Sequence, residues 1–382
     1  MSDYSPLETL IRKQIKVNGP MPVSRYMQIC LTHPEYGYYL KRDPLGRDGD
    51  FVTAPEISQM FGELVGLWAA SVWSAMGAPA QVKFIELGPG RGTMMSDALR
   101  AVRILPAFQQ AISVHLVETS PALRDKQRSK LADFAHVEWY ERIEDIPEGP
   151  AIILANEFFD ALPIHQAVRK ETGWHERTIE IDGDDALAFS TAPDPMPRFE
   201  VLLPPVVRAA PVGAIFEWRP DNEIITLARR VRDQGGAALI VDYGHQRSDA
   251  GETFQAVARH NYTNPLRNAG LADLTAHVDF QALARAAEDV GARAHGPVEQ
   301  GAFLKSLGIE TRAQALMKNA NEDSQKLTAA GLARLTGPSP EGMGSLFKVL
   351  GISHPAIRTL AALSDQEAKS RQEAKSRQDV TS

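Results

Sequence analysis

The chain contains a single cysteine, Cys30, among its 382 residues. One cysteine cannot form an intramolecular disulfide or a cysteine-cluster metal site, so disulfide-stapled secreted folds and zinc-ribbon proteins are excluded. Cys30 lies in an apolar helical pattern, and we therefore interpret it as a buried thiol in a protein of a reducing compartment. We predict no metal site.

The sequence also lacks a basic excess and a long apolar run. Its 41 Lys and Arg against 48 Asp and Glu give a formal net charge of −7. Nucleic-acid binding through counterion release needs a basic surface, so we expect no nucleic-acid partner. No segment approaches the roughly 20 apolar residues of a membrane-spanning helix, so we expect no membrane insertion. The N-terminal residues show no signal-peptide or transit-peptide pattern, which predicts a cytoplasmic protein.

A hydrophobic content of 43% is sufficient for one large or two medium packed domains. Short apolar runs alternate with helical patterns, which is typical of a parallel sheet with helices on both faces. We predict an α/β fold with strands at 82–87, 113–117, 136–140, 151–155 and 238–242, and with helices near 93–103, 121–132 and 221–234.

The pattern divides the chain into four predicted parts. Within the first part, a capping-box spacing at Thr53 and Glu56 predicts one helix at about 55–75. The parts are an N-terminal helical cover with a substrate-side loop (1–75), a core interrupted by a β insertion at about 165–215 (76–245), a largely helical C-terminal part of the same domain (246–362) and a disordered polar tail (363–382).

Three glycines, Gly88, Gly90 and Gly92, follow the first apolar run in a turn that leads into a helical pattern. Without Cβ atoms, this backbone can adopt positive φ and lie close to a ligand. The dinucleotide fingerprint would need a glycine at position 93, where the chain has Thr93. The early third glycine and the acidic Glu86 are similar to motif I of Rossmann-like methyltransferases that use S-adenosylmethionine (SAM).

Ligands of a parallel sheet bind beyond the carboxyl ends of its strands, so the residues that follow each apolar run are candidates. Glu118 closes the second run and could accept hydrogen bonds from both hydroxyls of a ribose. The alternative interpretation is that Glu118 caps the helix that starts near Pro121. We predict that Glu118 binds the cofactor together with Glu86 and the three glycines of the turn.

A polar and aromatic group follows the fourth run. We predict Asn156, Glu157 and Asp160 as catalytic residues, because acids at this position could hold a cation and accept a proton. Phe158 and Phe159 would exclude water from the reaction. The alternative is that both aromatic rings belong to the core and that the acids form a solvated turn.

Three further residues are predicted on the substrate side. His245 follows the fifth run and could act as a base near neutral pH, although a lone histidine after a strand more often has a structural role. Asp50 and Glu56 lie in the predicted N-terminal cover and could assist the acids at 157 and 160.

Several separate blocks in the same order resemble the MidA family, which includes a mitochondrial methyltransferase of respiratory complex I assembly. The resemblance spans residues 10–355. Its blocks are HPEYGYY (33–39), GDFVTAPEISQ (49–59), IELGPGRGT (85–93), NEFFDALP (156–163), DLTAHVDF (273–280) and GSLFKVL (344–350).

The resemblance implies a SAM-dependent methyltransferase with a Rossmann-like core, whose best-understood relative modifies an arginine of a complex I core subunit. We therefore expect SAM as cofactor and a protein substrate, with Gly88, Gly90 and Glu118 on the cofactor and Glu157 and Asp160 on the substrate. Two alternatives stay open: methylation of a small molecule or of another protein side chain, and a SAM-fold assembly chaperone without catalysis. A nicotinamide-dependent dehydrogenase is disfavoured by the glycine spacing.

Overall fold

The computed structural model describes residues 4–41, 53–258 and 261–363. The helices of this part of the chain are α1 (Pro6–Asn18), α2 (Val23–Thr32), α3 (Tyr38–Lys41), α4 (Ala54–Ile57), α5 (Gln59–Ala75), α6 (Thr93–Ala101), α7 (Pro106–Ala111), α8 (Pro121–Lys130), α9 (Phe199–Leu202), α10 (Pro205–Arg208), α11 (Asn222–Gln234), α12 (Phe280–Asp289), α13 (Gln300–Ser306), α14 (Ile309–Met317) and α15 (Glu322–Thr336).

Its strands are β1 (Met21–Pro22), β2 (Val82–Leu87), β3 (Ile112–Val117), β4 (Val137–Tyr140), β5 (Ala151–Asn156), β6 (His165–Lys170), β7 (Gly173–Ile181), β8 (Leu187–Thr191), β9 (Ile215–Trp218), β10 (Gly236–His245), β11 (Gln255–Ala258), β12 (Asn261–Thr263), β13 (Asp273–Thr275), β14 (Val278–Asp279), β15 (Arg293–Glu299) and β16 (Phe347–Ser353).

The described residues form two compact units, and each unit is assembled from separate stretches of the chain. The unit that we call the core unit contains residues 53–158, 221–246 and 280–363. The unit that we call the accessory unit contains residues 4–41, 159–220, 247–258 and 261–279.

The core unit is built on seven strands in the order β15-β16-β10-β5-β2-β3-β4. Strands β4, β3, β2, β5 and β10 are parallel, while β16 is antiparallel to both β10 and β15. The chain starts at β2, moves outward to β3 and β4, and returns on the other side with β5. The strand order therefore reverses between β2 and β5, which is where open α/β sheets bind ligands. The predicted α/β, Rossmann-like fold class is confirmed.

Close helix packing supports this sheet. A Cβ on Gly66 of α5 would lie 2.7 Å from the Ala98 Cα of α6, and one on Gly62 would lie 2.7 Å from the Asp97 Cβ. Glycine at both positions lets α5 and α6 approach each other at the backbone. The aromatic side chains of the core include Trp68, which is fully buried.

The predicted helix at 55–75 is interrupted. Ser58 is extended, with φ of −160°, and separates α4 from α5. The Ser58 hydroxyl accepts a hydrogen bond from the Met60 N–H and caps α5, whereas the Thr53 side chain makes no cap bond. The predicted capping box is therefore wrong, because Glu56 bonds to another side chain and Ser58 supplies the cap.

The C-terminal region contains the predicted helices, α12 to α15, but also strands that the prediction of a largely helical segment misses. β16 is buried along its whole length and completes the sheet together with β15. A short, continuous apolar run cannot be assigned to a strand or to a helix by periodicity alone. The pairing of seven residues of this run with β10 identifies it as the strand β16.

The accessory unit contains an antiparallel sheet in the order β1-β7-β6-β9, with β8 paired to β7. The β structure predicted within 165–215 is therefore confirmed as β6, β7 and β8, whereas β9 starts at the predicted boundary and was not predicted. Helices α1 and α2 bury Ile11, Tyr26 and Cys30 against residues of this unit. Burial raises the pKa of the Cys30 thiol to about 12, in keeping with the predicted buried thiol.

These units differ from the four consecutive parts predicted from the sequence. Residues 53–75 belong to the core unit because α5 packs against α6, and residues 261–279 group with residues 4–41. The predicted tail lies outside the described residues from position 364 on. Among the helices of the described part, none is long and apolar enough to cross a membrane.

Candidate functional site

The glycine turn lies between β2 and α6. Gly88, Gly90 and Gly92 have φ of 61°, 53° and 77°, in the left-handed region that favours glycine. A Cβ on Gly88 would lie 3.1 Å from the Phe158 ring, and a Cβ on Gly92 would lie 3.4 Å from the Gln127 Cγ. Side chains from the segments after β5 and β3 therefore pack directly against the turn.

Glu86 and Glu118 bring two buried carboxylates to the same region, with 3% and 9% of their surfaces exposed. Burial, and then the negative charge of Glu118, raises the pKa of Glu86 to about 8. The Glu86 Oε2 has no hydrogen-bond partner among the described residues. A buried acceptor without a partner is costly, so this oxygen suits a ligand that donates a hydrogen bond.

Glu118 is held by the start of α8. Its Oε1 accepts a hydrogen bond from the Ser120 N–H (2.8 Å), and its Oε2 accepts one from the Gln127 Nε2 (3.2 Å). Burial raises the pKa of this carboxyl, and these hydrogen bonds oppose the rise. The capping alternative is not realised, because Ser120 and not Glu118 is the N-cap residue of α8. The bond at Oε2 directs the carboxylate with respect to the turn.

Asn156 and Glu157 lie where β5 ends. The Glu157 Oε1 accepts hydrogen bonds from the Asn156 Nδ2 (3.3 Å) and from the Ala54 N–H (3.2 Å). Glu157 has a φ of 50°, which is uncommon for a residue other than glycine and marks a strained backbone. Such strain is often found at functional sites, and here it fixes the direction in which the side chain leaves the strand.

Asp160 belongs to the accessory unit, because the chain passes from one unit to the other between Phe158 and Phe159. Asp160 is 6% exposed and Phe159 is 2% exposed. The solvated-turn alternative does not fit this burial. The three predicted catalytic residues are therefore divided between the units, with Asn156 and Glu157 in the core unit.

Two acids and a tyrosine come together in the accessory unit. The Tyr39 hydroxyl donates a hydrogen bond to the Asp273 Oδ1 (3.0 Å). Burial raises the pKa of Tyr39 well above its usual value, and the negative charges of Asp273 and Asp160 add to the rise. Sequence reasoning did not single out Tyr39 or Asp273, although both lie in blocks of the family resemblance that could have drawn attention to them.

The predicted substrate-side residues have different settings. The Glu56 Oε1 accepts a hydrogen bond from the Thr93 Oγ1 (2.5 Å), which in turn accepts one from the Lys130 Nζ (2.8 Å). Glu56 therefore lies at the start of α6, directly after the glycine turn. His245 ends β10, and Asp50 lies outside the described residues. Within the described ranges, no cluster of three or more side chains is suited to hold a metal ion.

Residues 64–298 match the model of a family described as "Putative S-adenosyl-L-methionine-dependent methyltransferase". This match covers more than half of the chain. The chain belongs to this methyltransferase family. The predicted family resemblance is confirmed, and so is the prediction of an enzyme of this class.

Two curated relatives show how far the similarity extends. "Protein arginine methyltransferase NDUFAF7 homolog, mitochondrial" of Drosophila melanogaster is 37% identical over 92% of this chain and 85% of the relative. "Protein arginine methyltransferase NDUFAF7, mitochondrial" of Homo sapiens is 38% identical over 84% of this chain and 77% of the relative. Because both relatives are named mitochondrial, the predicted cytoplasmic location is wrong by this comparison.

Two solved structures from Burkholderia thailandensis resemble the whole chain. One, determined with bound S-adenosyl-homocysteine (SAH), is 28% identical, covers 93% of both chains and has a TM-score of 0.78. A native structure is 29% identical, covers 94% of both chains and has a TM-score of 0.77. The protein is thus a SAM-dependent methyltransferase, and SAM is its cofactor.

Proposed function

We propose that this methyltransferase modifies an arginine side chain of a protein, and that the protein is a subunit of respiratory complex I whose assembly it aids. The names of the curated relatives support the arginine specificity. The MidA resemblance supports the complex I substrate. The observation that carries the proposal is the fixed carboxylate of Glu157 at the point where the strand order reverses, since a guanidinium needs such a partner.

The residues around the glycine turn fit SAM. Gly88, Gly90 and Gly92 would allow close approach of the cofactor to the backbone. Glu118 would accept hydrogen bonds from its ribose hydroxyls, and the unpartnered Glu86 Oε2 suits its ammonium group. When bound, SAM supplies an electrophilic methyl group on a positively charged sulfur.

The acids would prepare the substrate. Arginine has a pKa above about 12 and is a poor nucleophile while it is protonated, so a base must hold it and accept its proton. We assign Glu157 as this base. Asn156 would position it by donating a hydrogen bond from its Nδ2 to the Glu157 Oε1. Asp160 stays proposed as the second acid. Asp50, Glu56 and His245 stay proposed as assisting groups on the substrate side.

Phe158 would exclude water beside the glycine turn. Its ring packs against Gly88. Orientation of two reactants in a closed site can supply about 7–11 kcal/mol of the barrier. The chain's own contribution to methyl transfer would therefore be alignment, water exclusion and proton acceptance.

Glu157→Gln tests the proposal because glutamine keeps the shape of the side chain but cannot accept the proton. We expect transfer from labelled SAM to protein to fall by about 10²–10⁴-fold, while the calorimetric Kd for SAH stays within about twofold. Unchanged turnover would remove Glu157 from the mechanism.

The matched control is Glu63→Gln, which changes a buried glutamate of the core unit that is bonded to Arg312 and should leave transfer within about twofold. Acid hydrolysis of the labelled wild-type product identifies the substrate class. Methylarginine supports the proposal. Label in small molecules or in another side chain would instead support the rival methyltransferase activities.

A further inference from the structure

Gln127 on α8 has 0% of its surface exposed and makes three hydrogen bonds. Its Nε2 donates to the Gly90 carbonyl oxygen (2.7 Å) and to the Glu118 Oε2 (3.2 Å). Its Oε1 accepts a hydrogen bond from the Trp139 Nε1 (2.8 Å). One amide thus connects the turn after β2, the acid after β3 and the strand β4.

Trp139 determines which way the amide points. An indole N–H can only donate, so the Gln127 oxygen must face Trp139 and the Gln127 nitrogen must face the other two partners. Both of those partners, the Gly90 carbonyl and the Glu118 carboxylate, are acceptors. The three partners therefore permit a single amide orientation in which every bond is satisfied.

The stem of the side chain adds a steric constraint. The Gln127 Cγ lies 3.4 Å from the position that a Cβ on Gly92 would occupy, so the stem packs against the turn. A shorter residue would leave a gap here, and an apolar residue of equal size would remove the bonds to Gly90 and Glu118. Removing this donor from a half-buried carbonyl and from one oxygen of a buried carboxylate is costly.

We propose that Gln127 is a positioning residue for SAM, which holds the glycine turn and the Glu118 carboxylate in one fixed arrangement through its bonds to Gly90, Glu118 and Trp139. This inference rests on the proposed role of Glu118 toward the ribose. Gln127 acts through those two groups and does not itself take part in the transfer.

Gln127→Leu is the direct test, since leucine is of similar size and cannot hydrogen-bond. We expect the calorimetric Kd for SAH to rise about 10- to 100-fold, as befits the loss of a hydrogen bond to a charged group and one to a carbonyl. The KM for SAM should rise with it. The kcat should change less than about threefold, because the lost interactions are equal in the ground and transition states.

Gln300→Leu is the matched control. Gln300 is also fully buried in the core unit, and its Nε2 donates to the Leu335 carbonyl oxygen (3.0 Å). This variant should lose stability as Gln127→Leu does, with the Kd for SAH within about twofold of the wild type. An equal loss of affinity in both variants would reduce Gln127 to a general structural role and overturn the proposal.

A double-mutant cycle with Glu118→Ala separates this inference from the function on which it rests. If Gln127 acts through Glu118, the double variant loses less affinity for SAH than the product of the two single losses. Multiplicative losses, or an unchanged Kd in Gln127→Leu beside a weakened Glu118→Ala, would overturn the inference alone. An unchanged Kd in Glu118→Ala would overturn the proposed role of Glu118 as well.

Trp139→Phe provides a second test of the proposal if Gln127→Leu does not fold. It leaves Gln127 in place but removes the donor that fixes its amide. We expect the Kd for SAH to rise about threefold or more, as befits one lost neutral hydrogen bond. An unchanged Kd would overturn the proposed chain of bonds.

Discussion

Glu63 on α5 and Glu86 at the end of β2 are buried glutamates of the core unit, with 5% and 3% of their surfaces exposed. In the helix layer, Arg312 donates to both oxygens of Glu63 (2.7 and 3.0 Å), and Arg100 adds a longer bond (3.3 Å). At the strand ends, Glu86 has the negatively charged Glu118 as neighbour, and its Oε2 has no partner among the described residues.

The comparison indicates that the Glu63 carboxylate stabilises the fold, whereas the Glu86 carboxylate is suited to bind a ligand. The hydrogen bond that Arg312 donates to Glu63 raises the pKa of Arg312, which favours the charged guanidinium. Burial raises the pKa of Glu86 to about 8, so the free protein resists the charged form of that group. A cationic ligand would reverse that preference.

Gly88→Val is expected to have the largest effect on the strand-end region. Valine would be placed at a φ of 61° with its Cβ 3.1 Å from the Phe158 ring, so that the ring or the turn must shift. We expect the Kd for SAH to rise more than about 100-fold, because the backbone could no longer approach the cofactor. Isothermal calorimetry provides the measurement.

Gly77→Val provides the control for backbone strain. Gly77 also has a positive φ, 84°, but a Cβ there would meet nothing within 4 Å. Both variants should lose about 1–2 kcal/mol of stability, and only Gly88→Val should lose affinity for SAH.

The same Gly88→Val variant tests the chaperone alternative. If complex I assembly continued in cells that contain only this variant, the result would support an assembly chaperone that acts without catalysis.

Glu86→Gln should stabilise the free protein, in a pH-dependent way. The pKa of Glu86 is raised from 4.5 to about 8, so the folded protein keeps a proton that the unfolded chain releases between these values. Wild-type stability therefore falls as pH rises through this window. Glutamine removes that loss, and we expect a gain of about 3 kcal/mol near pH 7 that vanishes near pH 4.

Denaturant unfolding at several pH values measures this gain, and SAH calorimetry on the same variant should show weaker binding. A stability difference that does not depend on pH would contradict the raised pKa. A variant that is more stable and binds SAH equally well would contradict the proposed contact of Glu86 with the cofactor.

Glu63→Gln should have the smallest effect, and its sign should be opposite. The substitution removes the charge that Arg312 and Arg100 share, but both arginine side chains are more than one-third exposed and can be hydrated. We expect a loss of about 1 kcal/mol in the free energy of unfolding, with SAH affinity unchanged. A gain in stability would erase the distinction between the two glutamates.

Local patterns predicted much of the core unit. β2 begins and ends where its apolar run does, and the positive φ values of the glycine turn match residues that lack Cβ atoms. The helix break at Ser58 was not predictable in the same way, because two competing caps lie within a few residues. β16 was missed because its identity as a strand depends on pairing with β10, more than 100 residues away.

The candidate site was predicted in part. Glu118 and Glu157 were identified because each follows an apolar run of the predicted parallel sheet, and Glu86 because it precedes the glycine turn; the structure gives their burial and bonds. Gln127 was not identified, since a glutamine in the middle of a helix carries no sequence signal. Asp273 was quoted only as part of a family block, and its bond to Tyr39 joins residues 234 positions apart.

The sequence by itself determined the five parallel strands of the core unit, the glycine turn and the methyltransferase family, because these depend on short-range periodicity and on residue types at fixed spacing. Only the tertiary structure decided that the acids predicted together at 157 and 160 fall in different units. It alone left the Glu86 Oε2 without a hydrogen-bond partner among the described residues. It also joined Gln127 to Gly90 and Glu118. Burial and long-range hydrogen bonds arise when distant segments pack, and no local pattern encodes them.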